Sequence, residues 1–186
     1  MTPKINPVSS SNQSNQPDPL LVSADFLVQF AQYTTGEMAT QLSERFPILR
    51  QVDAESLNFF LTVASVVVAV SRLNILGLDY VRKKQLMVVI FERLDKWKPD
   101  GLRGFNDCDQ FFDKEFVRIT KDGHKPSFAI PVTIGKWIFL NILNRPPQGE
   151  EECALVGALG KFVTHAFFDW WDKPLKTSDS SGEGKK

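Results

Sequence analysis

Cysteine, histidine and tyrosine are scarce in this sequence, with two of each among 186 residues. Two cysteines, Cys108 and Cys153, are too few for a disulfide framework and cannot by themselves hold zinc. There is no surplus of charge either, since 22 Lys and Arg balance 22 Asp and Glu. That balance argues against a general nucleic-acid binder, because neutralising phosphates takes a clear basic excess. No apolar run approaches the roughly 20 residues that cross a bilayer. The two longest, Leu57–Val70 and Ile130–Leu143, are about 14 residues each; the first is closed by Arg72 and the second contains Lys136. Both read as buried core helices, not as transmembrane segments.

Catalytic and cofactor signatures are also missing. The sequence has no GxxxxGK or GxGxxG phosphate loop, no HExxH, no CxxC and no GxSxG. Asp107 and Asp109 have the opening spacing of a calcium loop, but Phe111 fills the next ligand position and no Gly follows. Paired Glu-x-x-His motifs, which helical di-iron proteins need, do not occur. No metal and no cofactor is expected. Residues 1–19 carry neither the apolar core of a signal peptide nor an Arg-rich amphipathic pattern. A cytoplasmic, reducing setting is expected, with both thiols free.

What the chain does have is apolar bulk. Hydrophobic residues make up 42% of it, with 15 Phe and 4 Trp, which excludes whole-chain disorder. Residues 1–19 and 175–186 are Ser-, Asn-, Gly- and Lys-rich and read as flexible tails around a single domain over 20–174. Within 20–174 there are 18 basic and 19 acidic residues, so neutrality belongs to the folded part.

Helix signals recur along that domain. Ser23 is a suitable N-cap for a first helix carrying Phe26, Phe30, Met38, Leu42 and Phe46 at roughly helical spacing. Thr34-Thr35-Gly36 is a candidate bend, and Pro47 is the stop. Asp53 caps a second helix that is apolar nearly all round, reaches Leu76 and ends at Gly77 in the left-handed conformation. Asp79 caps a third helix to Trp97, and Lys98-Pro99-Asp100-Gly101 forms a turn. A fourth helix opens at Asn106 and carries Cys108, Phe111, Phe112, Phe116 and Ile119. Residues 117–130 read as a short β-hairpin around Asp122-Gly123 or as an irregular loop. Pro131 opens a fifth helix to Asn144, and Glu150-Glu151-Glu152 opens a sixth that runs to Pro174. Gly157 and Gly160 inside the sixth suggest close approach of a neighbour. The fold class is therefore mainly α: one compact bundle of about six helices with one apolar central helix, with a small β-hairpin near 117–130 as the open alternative to a loop there.

Three features carry the functional expectations. In Phe167-Phe168-Asp169-Trp170-Trp171, successive side chains point about 100° apart. Phe167 and Trp170 then share one face and Phe168 and Trp171 another, and the second pair is either covered by residues 1–50 or exposed to a partner. Arg82-Lys83-Lys84 opens a helix, where the dipole disfavours cations. It needs an acidic neighbour such as Glu150–Glu152, or an anionic partner. Residues 82–103 hold seven basic and three acidic side chains, and residues 107–115 four acidic and one basic. His165 and Asp169 stand at i,i+4, a spacing that would grip one metal ion or share a proton, although no further ligand is at hand. His124 reads as an exposed turn residue. Cys108 and Cys153, each beside carboxylates that raise a thiol pKa, read as unreactive core residues.

The expected partner-binding residues are Phe168, Trp170 and Trp171 with Arg82, Lys83 and Lys84. The expected function is that of a small soluble helical interaction or regulatory protein, binding a protein partner or self-associating. A peripheral membrane protein using the aromatic helix end and the basic patch is the alternative. The third reading is an enzyme with a dispersed site around His165, Asp169 and the aspartates at 107–113.

Overall fold

The computed structural model describes residues 17–180. The chain forms α1 (Pro19–Arg45), a 3-10 turn (Pro47–Gln51), α2 (Ala54–Leu73), α3 (Tyr80–Trp97), α4 (Gly101–Lys121), α5 (Pro126–Leu143), α6 (Gly149–Phe167) and a short α7 (Asp172–Ser180). Among the described residues there is no strand. Six long helices pack into one mainly α bundle.

α2 is its axis. Leu57, Leu61, Val63, Ala64, Val66, Val67, Val68 and Ala69 are all buried, because α1, α4, α5 and α6 all pack against α2. Their uninterrupted apolar runs are shorter, but as whole helices α2 and α5 are long and apolar enough to cross a membrane by length and composition. In this fold the apolarity of α2 is spent on four neighbouring helices.

Side-chain capping marks three of the six long helix starts, those of α1, α2 and α3. Asp53 accepts from Ser56 N at 2.7 Å and Asp79 from Arg82 N at 2.9 Å, each satisfying an amide that the first helical turn leaves unpaired. Gly77 takes the expected positive φ, +62°, in the turn after α2. The first cap differs from expectation. Asp18, not Ser23, accepts from Leu20 N at 2.9 Å, with Pro19 in the first turn, so the helix begins inside the segment read as a tail. The rest of that tail, residues 1–16, and residues 181–186 lie outside the described residues. At the other end α7 covers residues 172–180, and Leu175 packs against the core, so the boundary expected at 174 falls within a helix.

Thr34-Thr35-Gly36 does not bend α1. Thr35 Oγ1 donates back to the Ala31 carbonyl at 2.8 Å and meets Asn58 Oδ1 at 2.6 Å and Thr62 Oγ1 at 2.8 Å on α2. A hydroxyl that would break a lone helix is thus satisfied across a helix–helix contact. Asn106 does not open α4, which starts five residues earlier and buries Phe105 in its second turn.

Neither the β-hairpin nor the irregular loop read for residues 117–130 forms. α4 runs through Val117–Thr120 to Lys121, and α5 already includes Ser127–Ile130. Ile119 and Ala129 are both buried, so helical continuation gives each end of this segment a place in the core, which a two-stranded ribbon alone would not. Gly123 (φ +89°) and exposed His124 form the connection. Pro126, not Pro131, holds the first turn of α5, and Pro131 lies inside it.

Candidate functional site

The aromatic end of α6 divides unequally. Trp171 is wholly buried, and its Nε1 donates to the Ala69 carbonyl of α2 at 2.7 Å. It is a core residue and cannot meet a partner. Its cover includes α2, whereas the expected cover was residues 1–50. Phe168 is half-buried beneath the Arg72 guanidinium, 5.0 Å from its ring centre, and Arg72 also approaches Asp172 at 3.8 Å. Trp170 is half-buried and stays at the surface, packed 5.1 Å from Phe30 of α1.

The basic triplet is partly neutralised within the chain. Arg82 forms a two-oxygen pair with Asp18, at 2.9 and 3.0 Å. The acidic neighbour is therefore the N-cap of α1 and not Glu150–Glu152. Glu152 instead takes Arg145, at 2.7 Å from Nη1 to Oε2, and accepts from Gln148 N. Lys83 is half-buried and Lys84 exposed, and neither forms an ion pair among the described residues.

The residues of the enzymatic reading do not converge. His165 is exposed in the last turn of α6 and makes no ion pair with Asp169 among the described residues. Asp107 accepts from Trp137 Nε1 at 2.9 Å, and burial followed by the Asp113 charge pushes the Asp109 carboxyl above its usual range. No group of three or more His, Cys, Asp or Glu is placed to hold a metal ion among the described residues. Cys108 is buried, and burial pushes its thiol well up, with Asp109 and Asp107 adding to the shift. Cys153, expected in the core, is exposed just past the first turn of α6.

Two clefts were invisible in the sequence. One, of about 550 Å³, lies beside the α3–α4 connection, with Phe59, Phe60 and Trp137 as its aromatic wall. Its polar groups are already engaged: Lys98 with Glu55, Arg103 with Asp100, and Asp107 with Trp137. The other, of about 490 Å³, runs between α5 and α6 past Pro131, Val132 and Val156, and ends at Glu115, Arg118 and Lys136. Hydrogen bonds from Arg118 and then Lys136, at 2.9 and 2.6 Å, hold the Glu115 carboxyl down to about 2 from 4.5, against an opposing contribution from burial.

A carboxylate whose folded-state pKa is depressed contributes stability that is complete above its unfolded value and disappears as pH falls through the folded one. Glu115→Gln should therefore lower the melting temperature at pH 6. The gap to wild type should narrow between pH 4.5 and about 2. Paired thermal melts across that range check it, and a gap that is the same at pH 6 and pH 2 would contradict the assignment.

The most distinctive surface lies on α1. Its buried face is built of small and aliphatic residues, Leu20, Ala24, Leu27, Val28, Ala31 and Ala39, together with Thr35. Small residues let helices approach closely, so the large aromatics of α1 are left on the opposite side. Val22, Phe26, Phe30 and Tyr33, at i, i+4, i+8 and i+11, are 39%, 54%, 45% and 69% exposed. Phe26 and Phe30, expected in the core, are thus outward. Phe30 joins this stripe to the end of α6, packing edge-on against Phe167 at 6.0 Å and against Trp170 at 5.1 Å. On the α3 side, Leu21 shares a shallow apolar depression with Val81, Val88 and Lys84. Asp25, the only charged residue between Val22 and Tyr33, is paired with Arg93 at 2.6 Å. A second stripe, 180° from the first, was present in the sequence. Helical periodicity detects both stripes and does not say which one is covered.

No known protein family, curated protein or solved structure matches this chain.

Proposed function

We propose that this chain is a small helical interaction protein that acts on a protein partner through the outward face of α1, continuous with Trp170 at the end of α6. The observation that supports this reading is the stripe of Val22, Phe26, Phe30 and Tyr33 on a helix whose other face is buried. Soluble monomers seldom leave contiguous apolar patches above a few hundred Å² uncovered. Aromatic side chains are the residues that carry binding energy when desolvated. Two charges at the N-terminal end of the stripe, Asp18 and Asp25, are spent in ion pairs with α3, which lowers the desolvation cost of covering that end.

A photo-crosslinking residue in place of Phe26, in the full chain in its native cell, tests the reading. Discrete protein adducts are expected there and not at Val117, an exposed apolar residue of α4. Adding Tyr33→Asp to the same chain should remove them. Absence of adducts at position 26 would overturn the proposal. The membrane-surface reading rests on Lys84 beside the apolar depression. Vesicles of phosphatidylserine and phosphatidylcholine test it at low salt: co-sedimentation that Phe26→Asp abolishes would replace the protein partner with a lipid surface.

A further inference from the structure

We infer that the occupant of the α1 face is a second copy of this chain, its α1 antiparallel to the first about a two-fold axis between Phe26 and Phe30; this rests on the interaction-face reading above. The spacing of the stripe is the first argument. An antiparallel two-fold pairs residues at equal distances on either side of one point. Phe26 and Phe30 have their midpoint at position 28, and Val22 and Tyr33 at 27.5. The two midpoints differ by less than about 1 Å of helix rise. One axis therefore sets Phe26 against Phe30 of the second copy twice, and Val22 against Tyr33 twice. A self-complementary patch of this kind is what an isologous dimer requires.

Charge selects the direction. A parallel two-fold brings Asp25 level with Asp25 of the second copy, and Glu37 level with Glu37. The antiparallel arrangement places Asp25, itself paired with Arg93, level with Phe30 and Ala31, and Glu37 level with Pro19 and with Asp18, which is paired with Arg82, so no unpaired acidic residue meets another. Area is the third argument. Side chains of this size, about half exposed, offer roughly 100 Å² each, or about 400 Å² per copy for the stripe. With Gln29, Ser23 and the rim of Trp170 added on both sides, the total comes to about 1,200 Å², the lower bound of a specific interface.

The experiment uses the full chain carrying Cys153→Ser, which leaves only the buried thiol of Cys108. Analytical ultracentrifugation at tens of micromolar should find particles of twice the 21.0-kDa chain mass. Phe26→Asp should weaken association by roughly a thousandfold, since two central aromatic contacts are lost together. Circular dichroism should stay unchanged, because Phe26 is outward. Mixing a Val22→Cys chain with a Tyr33→Cys chain under mild oxidation should give the mixed disulfide in preference to either homodimer.

Three results would overturn the inference: a strict monomer, a dimer indifferent to Phe26→Asp, or preferential linkage of Val22→Cys to itself. Failure here is separable from failure of the functional reading. A monomer whose position 26 still captures another protein in the cell overturns the second copy and keeps the interaction face. A monomer with no adduct overturns both.

Discussion

Gly135→Val and Gly160→Val should each cost about 3–5 kcal/mol, as overpacking that no side-chain rotation relieves. A Cβ on Gly135 would lie 1.9 Å from the Val156 carbonyl oxygen, and one on Gly160 1.7 Å from that of Pro131. The two glycines are reciprocal: each helix presents one to the backbone of the other. Backbone has no rotamer to change, so α5 and α6 would have to separate along their length. That would open the core around Ile134, Ile138, Leu159 and Val163, all fully buried. Protein interiors are packed nearly as densely as organic crystals, and a gap narrower than water forfeits dispersion contacts without gaining hydration. Set against a total of about 5–15 kcal/mol, the loss is large enough to threaten folding.

Gly157 is the internal control. It lies in the same helix, and nothing stands within 4 Å of the place its Cβ would occupy. Gly157→Ala should therefore stabilise the protein by about 0.5–1 kcal/mol, from helix propensity alone. Urea titration of the three variants gives the comparison. A midpoint for Gly135→Val equal to that of wild type would show that the helices do not approach as closely as described.

Trp171→Ala should be the other large effect, a loss of about 3–5 kcal/mol from emptying a site that now holds a wholly buried indole. Trp171 lies just beyond α6, in the turn before α7, and its N–H reaches the Ala69 carbonyl near the C-terminal end of α2, 102 positions earlier. It joins the last part of the chain to the central helix. α7 follows at once and sends Leu175 against the core, so its docking should loosen with the indole gone. Amide exchange should accelerate across residues 172–176 more than in α3. Trp171→Phe keeps most of the apolar contact and removes the N–H, so it should cost about 1–2 kcal/mol. Equal losses for Ala and Phe would mean that cavity formation is not the main term. Either way the substitution acts on stability, whereas Phe26→Asp acts on association at unchanged stability. That division separates a core aromatic from a surface one.

Much of the architecture was legible in the residues. Asp53 and Asp79 cap the helices they were expected to cap, since a carboxylate two or three positions ahead of an apolar run has few other uses. The all-round apolarity of Leu57–Val70 identified the central helix, because such a helix needs neighbours on every side. Gly77 took its positive φ, and of Gly157 and Gly160, both read as marks of close approach, only Gly160 is one. Local signals failed where a distant contact outweighed them. Thr35 looks like a helix breaker until Asn58 and Thr62 satisfy its hydroxyl. Asp122-Gly123 looks like a hairpin turn until Ile119 and Ala129 are both seen to need the core.

The candidate site followed the same division. Periodicity alone established that α1 is helical, read as one apolar stripe through Phe26 and Phe30, and that four aromatics gather after Val163. Which stripe of α1 is inside depends on what α2 and α3 can accept. Ala24, Ala31 and Ala39 let α1 sit close, and at that distance there is no room for Phe26 or Tyr33. Which tryptophan is inside depends on the Ala69 carbonyl, which no local pattern connects with Trp171. A linear pattern specifies the angle of each side chain around its own axis, through the fixed geometry of the helix. Only the packed bundle supplies the neighbour at that angle, and the neighbour decides whether an aromatic becomes core or surface.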